Sequence, residues 1–328
     1  MTGASGILGS YICRELYGQG ISFKGLVRES SDLTLLKDLP QELIVQGEMD
    51  DILGIEALLE GVDTVIHCAG LVSFRRKDKT ALYKTNVEGT RVVVNACLAK
   101  GVRKIIHISS IAALGRAKKN SLVRENTKWE TSKLNTEYAK SKYLGELEIW
   151  RASSEGINVN VLNPSIILAP YHWDRSSAQL LRFVKNGFPF YPSGNINYVD
   201  IRDVSDTVMR LYREDINNER YILNCGSLPY KVFFEKVALH FGVEPPKVKL
   251  NKALAWLGWS LDNFRSFITG RQALVTKESV RLSFSKSNYD NGKSYGLLEQ
   301  GYRSLEDTLK WVCAESKFEG KTTLEVER

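Results

Sequence analysis

The chain has 328 residues, 43% hydrophobic and 25% charged, enough for one large domain with appendages or two modest domains. Its net charge of +7 suits an anionic ligand such as a phosphorylated cofactor. The basic residues are scattered, and the short clusters Arg75–Lys77 and Lys118–Lys119 lack interleaved aromatics, so no nucleic-acid partner is expected. The five cysteines, Cys13, Cys68, Cys97, Cys225 and Cys313, are odd in number and widely spaced. They suggest neither a disulfide framework nor a metal site, and read as buried apolar residues in a reducing compartment.

The chain opens on TGASGILG (Thr2–Gly9), with no secretory signal pattern before it. The apolar stretch Ala253–Leu261 is far short of the ~20 residues that span a bilayer. A cytoplasmic protein without a membrane partner is the expectation. Gly3 suits a tight turn, Gly6 lets backbone N–H groups approach a pyrophosphate, and Gly9 permits close helix–strand packing. A central strand should precede Gly3, yet only Met1 and Thr2 stand there. Either the numbered chain starts late, which is the reading preferred here, or the innermost strand is severely shortened.

Short β-branched runs then alternate with amphipathic stretches. Expected strands are Ser22–Val27, Leu43–Val45, Thr64–Cys68, Lys104–Ser109 and Asn158–Leu162. Expected helices are Ile7–Tyr17, Ile52–Glu60, Thr80–Ala99 and Ser132–Ser154. This alternation, with nearly continuous apolar strands, predicts an α/β fold: a Rossmann-type, doubly wound parallel sheet covered by helices. After Pro164 the pattern changes. Ser165–Tyr198 is rich in proline and aromatics around one helix, Ser177–Lys185. Asp200–Arg213 reads as helix and Tyr221–Asn224 as strand. From Pro229 the chain is helix-rich and aromatic, with Trp256, Trp259, Phe264 and Phe267. The division expected is a dinucleotide-binding domain over 1–164, with 199–225 returning to it, and a smaller, mostly helical substrate-binding region over 165–198 and 226–328.

Four further features carry chemistry. The expected second strand ends in Arg28, where an acidic residue would bind the adenosine ribose; a guanidinium there favours a 2′-phosphate, hence NADP, with NAD as the alternative. Tyr138 and Lys142 are four apart in a helical stretch and share a face. An ammonium beside a phenol favours the phenolate and lowers the phenol pKa, so Tyr138 is suited to pass a proton to or from a carbonyl or hydroxyl. Ser109–Ser110 end a strand in HISSIAALG, where parallel sheets bind ligands. HCAGL (His67–Leu71) ends another strand with small residues that allow close approach of a cofactor. His67 by itself reads as a satisfied strand-end histidine.

Together these residues resemble the extended short-chain dehydrogenase/reductase family, the NAD-dependent epimerase/dehydratase group. TGASGILG looks like its TGxxGxxG loop, HCAGL its H-x-A-(A/G) stretch, and Asn86–Thr90 its NVxGT helix start. HISSIAALG looks like its serine strand, YAKSKYLGE its YxxxK helix, Asn163–Pro164 its post-strand turn, and YVDIRDVSD (Tyr198–Asp206) its return segment.

The resemblance implies roles. Tyr138 would be the general acid/base, Lys142 would hold the nicotinamide ribose and tune Tyr138, and Ser110 would orient the substrate oxygen. Gly3, Ser5, Gly6, Ile7, Leu8 and Gly9 would bind the cofactor, with Arg28. Glu48 and Met49 stand where an acidic–aliphatic pair contacts adenine, Glu48 replacing the usual Asp. Cys68, Ala69, Gly70 and Leu71 would line the cofactor, Asn86 would sit near it, and Pro164 would lie by the carboxamide. Asn163 would face the substrate. A homodimer through the helices Thr80–Ala99 and Ser132–Ser154 is a family expectation.

The function implied is NAD(P)-dependent hydride transfer to or from a carbonyl or secondary alcohol of a small molecule. GLVRESSD (Gly25–Asp32) and HCAGLVSF favour the dihydroflavonol-reductase or 3β-hydroxysteroid-dehydrogenase branch, with Trp256 and Trp259 either lining an apolar pocket or packing helices. A nucleotide-sugar epimerase is the alternative enzyme. Dehydration is disfavoured, because Ile111 and Ala112 follow Ser110 where a dehydratase would carry an Asp-Glu pair. A cofactor-sensing regulator would usually have lost the tyrosine.

Overall fold

The computed structural model of the chain describes residues 1–115, 122–132, 135–170, 178–269 and 276–315. Lys118–Lys119, Ser177 and the side chains of Phe264 and Phe267 lie outside the described parts. The chain divides into two compact units. The first comprises Met1–Ser165, Ile201–Asn224 and Ser287–Gly301, and the second Ile166–Asp200, Cys225–Lys286 and Tyr302–Arg328.

The first unit is built on a parallel sheet. Its strands are β1 (Gly25–Val27), β2 (Ile44–Gln46), β3 (Thr64–His67), β4 (Lys104–Ile108), β5 (Asn158–Pro164) and β6 (Glu219–Leu223). β2 pairs with β1, while β3, β4, β5 and β6 pair in that order. Thr2 joins the two halves, bridging Leu26 on one side and His67 on the other, both in parallel. Its N–H donates to the Ile66 carbonyl at 3.0 Å, and its own carbonyl accepts from Cys68 at 3.2 Å. The central strand position is therefore occupied, by a segment shorter than any flanking strand. The order β2–β1–Thr2–β3–β4–β5–β6 reverses direction at Thr2, and such a switch point opens a crevice at the carboxyl ends of the strands.

Alternation of side chains across the sheet fixes the layers. Val65, Ile105, Val159 and Val161 pack with Val93, Val94 and Cys97 of α3 (Gly89–Ala99) and with Ile149 and Ala152 of α4 (Glu137–Ser154). α1 (Ile7–Gly18) packs against α5 (Ile201–Arg213), and α2 (Ile52–Leu58) against α3.

Several expected bounds move, each for a local reason. The helix expected over Thr80–Ala99 is interrupted by a wide π turn at Lys84–Glu88, where Asn86 is drawn out of register by tertiary hydrogen bonds. The helix expected from Ser132 starts at Glu137, because the Thr136 hydroxyl accepts from Ala139 N–H and caps it. Residues 287–301, expected in the substrate-binding region, belong to the first unit. Asn288–Tyr289 pairs with Leu122–Val123, Asp290 meets Arg124 at 2.9 Å, and the Ser294 hydroxyl donates to the Ile222 carbonyl at 2.6 Å. Cys68 and Cys225, expected to be buried, are half-exposed; Cys13, Cys97 and Cys313 are buried.

The second unit has its own core of Leu168, Leu181, Ile196, Phe233, Val237, Leu309 and Val312. The helices Ala178–Lys185, Tyr230–Phe241 and Leu305–Glu315 supply much of it. The strands Ile166–Leu168, Asn195–Asp200 and Gly226–Pro229 form a small mixed sheet. Trp256 and Trp259 pack edge to face, centroids 5.4 Å apart, on the helix Lys252–Thr269.

His67 and His107 stack inside the first unit with centroids 5.0 Å apart. The His67 ring nitrogens meet Thr2 Oγ1 at 2.7 Å and Thr90 Oγ1 at 3.0 Å. Burial, then the nearby Lys142 charge, hold His67 down to about 3 and His107 well below its ordinary value. Both rings stay neutral when folded, whereas the unfolded chain takes up protons near pH 6.5. Their contribution is therefore complete above about pH 6.5 and is lost as pH falls toward 3.

Two outcomes test this packing. Denaturation midpoints should fall as pH drops below about 6.5, and His107→Phe should flatten that dependence. A Cβ at Gly9 would lie 2.0 Å from the Gly3 carbonyl oxygen, whereas one at Gly18 would meet nothing within 4 Å. Gly9→Ala should cost about 2–3 kcal/mol in a thermal or urea melt, while Gly18→Ala should be neutral or slightly stabilising.

Candidate functional site

Gly3 adopts φ +71°, and a Cβ there would stand 2.7 Å from the Ala69 nitrogen. Only glycine lets the turn pass so close to the loop after β3. The Gly6 N–H donates to the Gly3 carbonyl at 3.1 Å. Gly6 then caps α1 with no side-chain cap and no acidic residue in the first turn. The first-turn N–H groups and the positive end of the helix dipole are left for an anion. Gly6 is exposed and Ser5, Ile7 and Leu8 are half-exposed, so the loop fits a pyrophosphate.

Arg28 follows β1 directly and is exposed, and its N–H donates to Ser31 Oγ at 3.1 Å. Glu48 is exposed beyond β2. Met49 turns inward instead, among Leu26, Ile55 and Ala96.

Cys68, Ala69, Gly70 and Leu71 form the loop after β3. Asn86 clamps it: its Oδ1 accepts from Leu71 N–H at 2.7 Å, and its Nδ2 donates to the Leu71 carbonyl and to Ser141 Oγ, each at 2.9 Å. Gly145 of α4 abuts the Asn86 carbonyl so tightly that a Cβ would come within 2.1 Å. A Cβ at Gly70 would lie 3.4 Å from Asn86 Oδ1 and 3.7 Å from Lys142 Nζ. The loop, Asn86 and Lys142 therefore meet.

Ser110, Tyr138 and Lys142 also converge. The Ser110 hydroxyl accepts from Ala112 N–H at 3.1 Å and acts on the Tyr138 phenol, favouring its phenolate. Phe74 stands edge-on to Tyr138 with centroids 5.7 Å apart. Lys142 Nζ donates to the Ile108 carbonyl at 2.9 Å. Burial pushes Lys142 down to about 8, against the opposing charge of Glu146. One expectation is corrected here. The Tyr138 phenol is raised, not lowered, because burial disfavours the phenolate and only the nearby Ser110 hydroxyl opposes it. The ammonium expected to lower it is turned to Ile108.

Pro164 ends β5 and is buried. Asn163 is fully buried, and its Nδ2 donates to the Ser110 carbonyl and to Glu146 Oε2, each at 2.9 Å. It braces Ser110 from within the unit, where the sequence suggested a side chain facing substrate.

Sequence reasoning gave no role to Glu146, although it stands four residues beyond Lys142, where a carboxylate shares the helix face. The glycine loop, the Asn86 clamp and the Ser110–Tyr138–Lys142 cluster all lie in the first unit. Together they can hold a dinucleotide and move a proton at an oxygen beside it.

Residues 1–226 match the model of the NAD dependent epimerase/dehydratase family. Over 327 residues or fewer the chain aligns with named reductases and dehydrogenases. It is 27% identical to the sterol demethylase protein B of Methylococcus capsulatus over 326 residues, covering 95% of this chain and 97% of that one. It is also 27% identical to cinnamoyl-CoA reductase 1 of Arabidopsis thaliana over 239 residues, 68% of this chain and 69% of that one. The crystal structure of gox2253 superposes with a TM-score of 0.82 at 27% identity, covering 98% of both chains. The chain belongs to the NAD-dependent epimerase/dehydratase family, within the extended short-chain dehydrogenases/reductases.

Proposed function

We propose that this chain is an NADP-dependent reductase that moves a hydride between the nicotinamide and a carbonyl or secondary alcohol of a small organic molecule. The observation that carries it is the convergence of Ser110, Tyr138 and Lys142 at the carboxyl ends of the strands, beside the loop that Asn86 clamps. NADPH, when bound, supplies the hydride. The Gly3–Gly9 loop and the bare start of α1 would hold its pyrophosphate. The exposed Arg28 would meet its 2′-phosphate.

Ser110 would donate to the substrate carbonyl and place its oxygen against the Tyr138 phenol. Tyr138 would give its proton to that oxygen as it becomes an alkoxide. The raised phenol keeps the proton on Tyr138 at neutral pH, the form that carbonyl reduction requires. Lys142 would turn from the Ile108 carbonyl to the nicotinamide ribose, bringing its charge near the phenol. The reductase and dehydrogenase names among relatives support this reading. So do Ile111 and Ala112 after Ser110, which offer no second acid or base for dehydration.

The reading is tested by titrating the protein with NADPH and NADH in parallel, then screening a panel of aldehydes and ketones with the tighter cofactor. Tyr138→Phe should lower kcat by about 10²–10⁴-fold while leaving cofactor affinity nearly intact; unchanged turnover would reject the mechanism. Arg28→Ala should weaken NADPH about tenfold and NADH hardly at all. An equal effect on both would remove the NADP assignment.

A further inference from the structure

Glu146 lies one helical turn beyond Lys142 on α4, with 1% of its surface exposed. Four donors converge on its carboxylate. Oε2 accepts from Ser109 Oγ at 2.7 Å and from Asn163 Nδ2 at 2.9 Å. Oε1 accepts from Trp150 Nε1 at 3.3 Å and pairs with Arg220 of β6. Arg220 is itself held, 5.3 Å over the Trp150 ring and donating to the Glu125 carbonyl at 2.9 Å. The donors thus come from the end of β4, from β5, from β6 and from α4.

Taking a carboxylate out of water is costly, and a well-packed apolar side chain often serves stability as well. What a buried hydrogen-bond network adds is a single geometry. Here that geometry leads to the reaction centre by two routes. Ser109 precedes Ser110 in the chain. Asn163, through the same Nδ2, also donates to the Ser110 carbonyl at 2.9 Å. The Ser109 side chain is tied to Glu146 directly and the Ser110 carbonyl through Asn163, so the backbone that carries the Ser110 hydroxyl is held on both sides.

We propose that Glu146 is a positioning residue, whose carboxylate holds the Ser110 hydroxyl against Tyr138 through Ser109 and Asn163. It touches neither cofactor nor substrate and acts only through Ser110. Its importance for turnover rests on the reading of Tyr138 given above; its existence does not.

The test uses the full chain labelled with ¹³Cζ-tyrosine, titrated by NMR from about pH 8 upward. Tyr138→Phe identifies the Tyr138 signal among the 14 tyrosines. Ser110→Ala and Glu146→Ala should each raise the Tyr138 midpoint, by on the order of one pH unit for the lost hydrogen bond. The double variant should go no higher than Ser110→Ala alone. Glu146→Gln, which keeps an oxygen for Ser109 and Asn163, should return the midpoint toward that of the unaltered chain.

The sign separates the alternatives, since loss of the negative charge alone would lower the midpoint. An unchanged or lowered midpoint in Glu146→Ala, or an additive double variant, would overturn the proposal. If Glu146→Ala does not fold, Asn163→Ala cuts the same tie to Ser110 while leaving Arg220 paired, and carries the same expectation. The titration needs no substrate, so a protein that reduced no carbonyl would still decide the role of Glu146.

Discussion

Thr2 is where the two halves of the parallel sheet meet. Its backbone donates to Ile66 and accepts from Cys68, while the flanking Met1 carbonyl accepts from Leu26 N–H at 2.8 Å. Its hydroxyl faces His67 Nδ1 at 2.7 Å and accepts from Ala69 N–H at 3.3 Å. One residue thus sets the distance between β1 and β3, the departure of the glycine loop and the start of the loop that Asn86 clamps. The bonds that a longer strand would spread along its length are here supplemented by a side chain. The close approach of Gly3 to Ala69 follows from this spacing.

Away from the sheet centre, the site is governed by competition between burial and charge. Lys142, Tyr138 and His67 are all pushed toward their neutral forms by exclusion of water. Polar and charged neighbours offset this selectively. Ser110 favours the phenolate and Glu146 favours the ammonium, while His67 receives only neutral hydroxyl partners. The net result is a Tyr138 phenol that is raised, a Lys142 ammonium lowered to about 8, and a His67 ring held neutral.

How much of this was readable depends on the range of the interactions. The glycine spacing, the Tyr138–Lys142 pair and the apolar strands are local patterns, and the sheet and loop follow them. The cap at Thr136 was missed by a few residues because Ser132 offers an equally suitable hydroxyl. The π turn at Lys84–Glu88 has no local signal, since Asn86 is displaced by Leu71 and Ser141 rather than by its neighbours. The same holds for Glu146, whose partners Ser109, Asn163 and Arg220 come from separate strands. Asn163 was a substrate contact only as the family resemblance implies; within the fold its amide, with two hydrogens, links the Ser110 carbonyl and the Glu146 carboxylate.

The return of Ser287–Gly301 to the first unit bears on how the chain is made. Leu122–Val123 finds its partner strand, and Ile222 the hydroxyl of Ser294, only after the intervening segment of the second unit has been synthesised. The nucleotide-binding sheet emerges from the ribosome with one margin unfinished. In vectorial synthesis these bonds can form only after Ser287–Gly301 has been made.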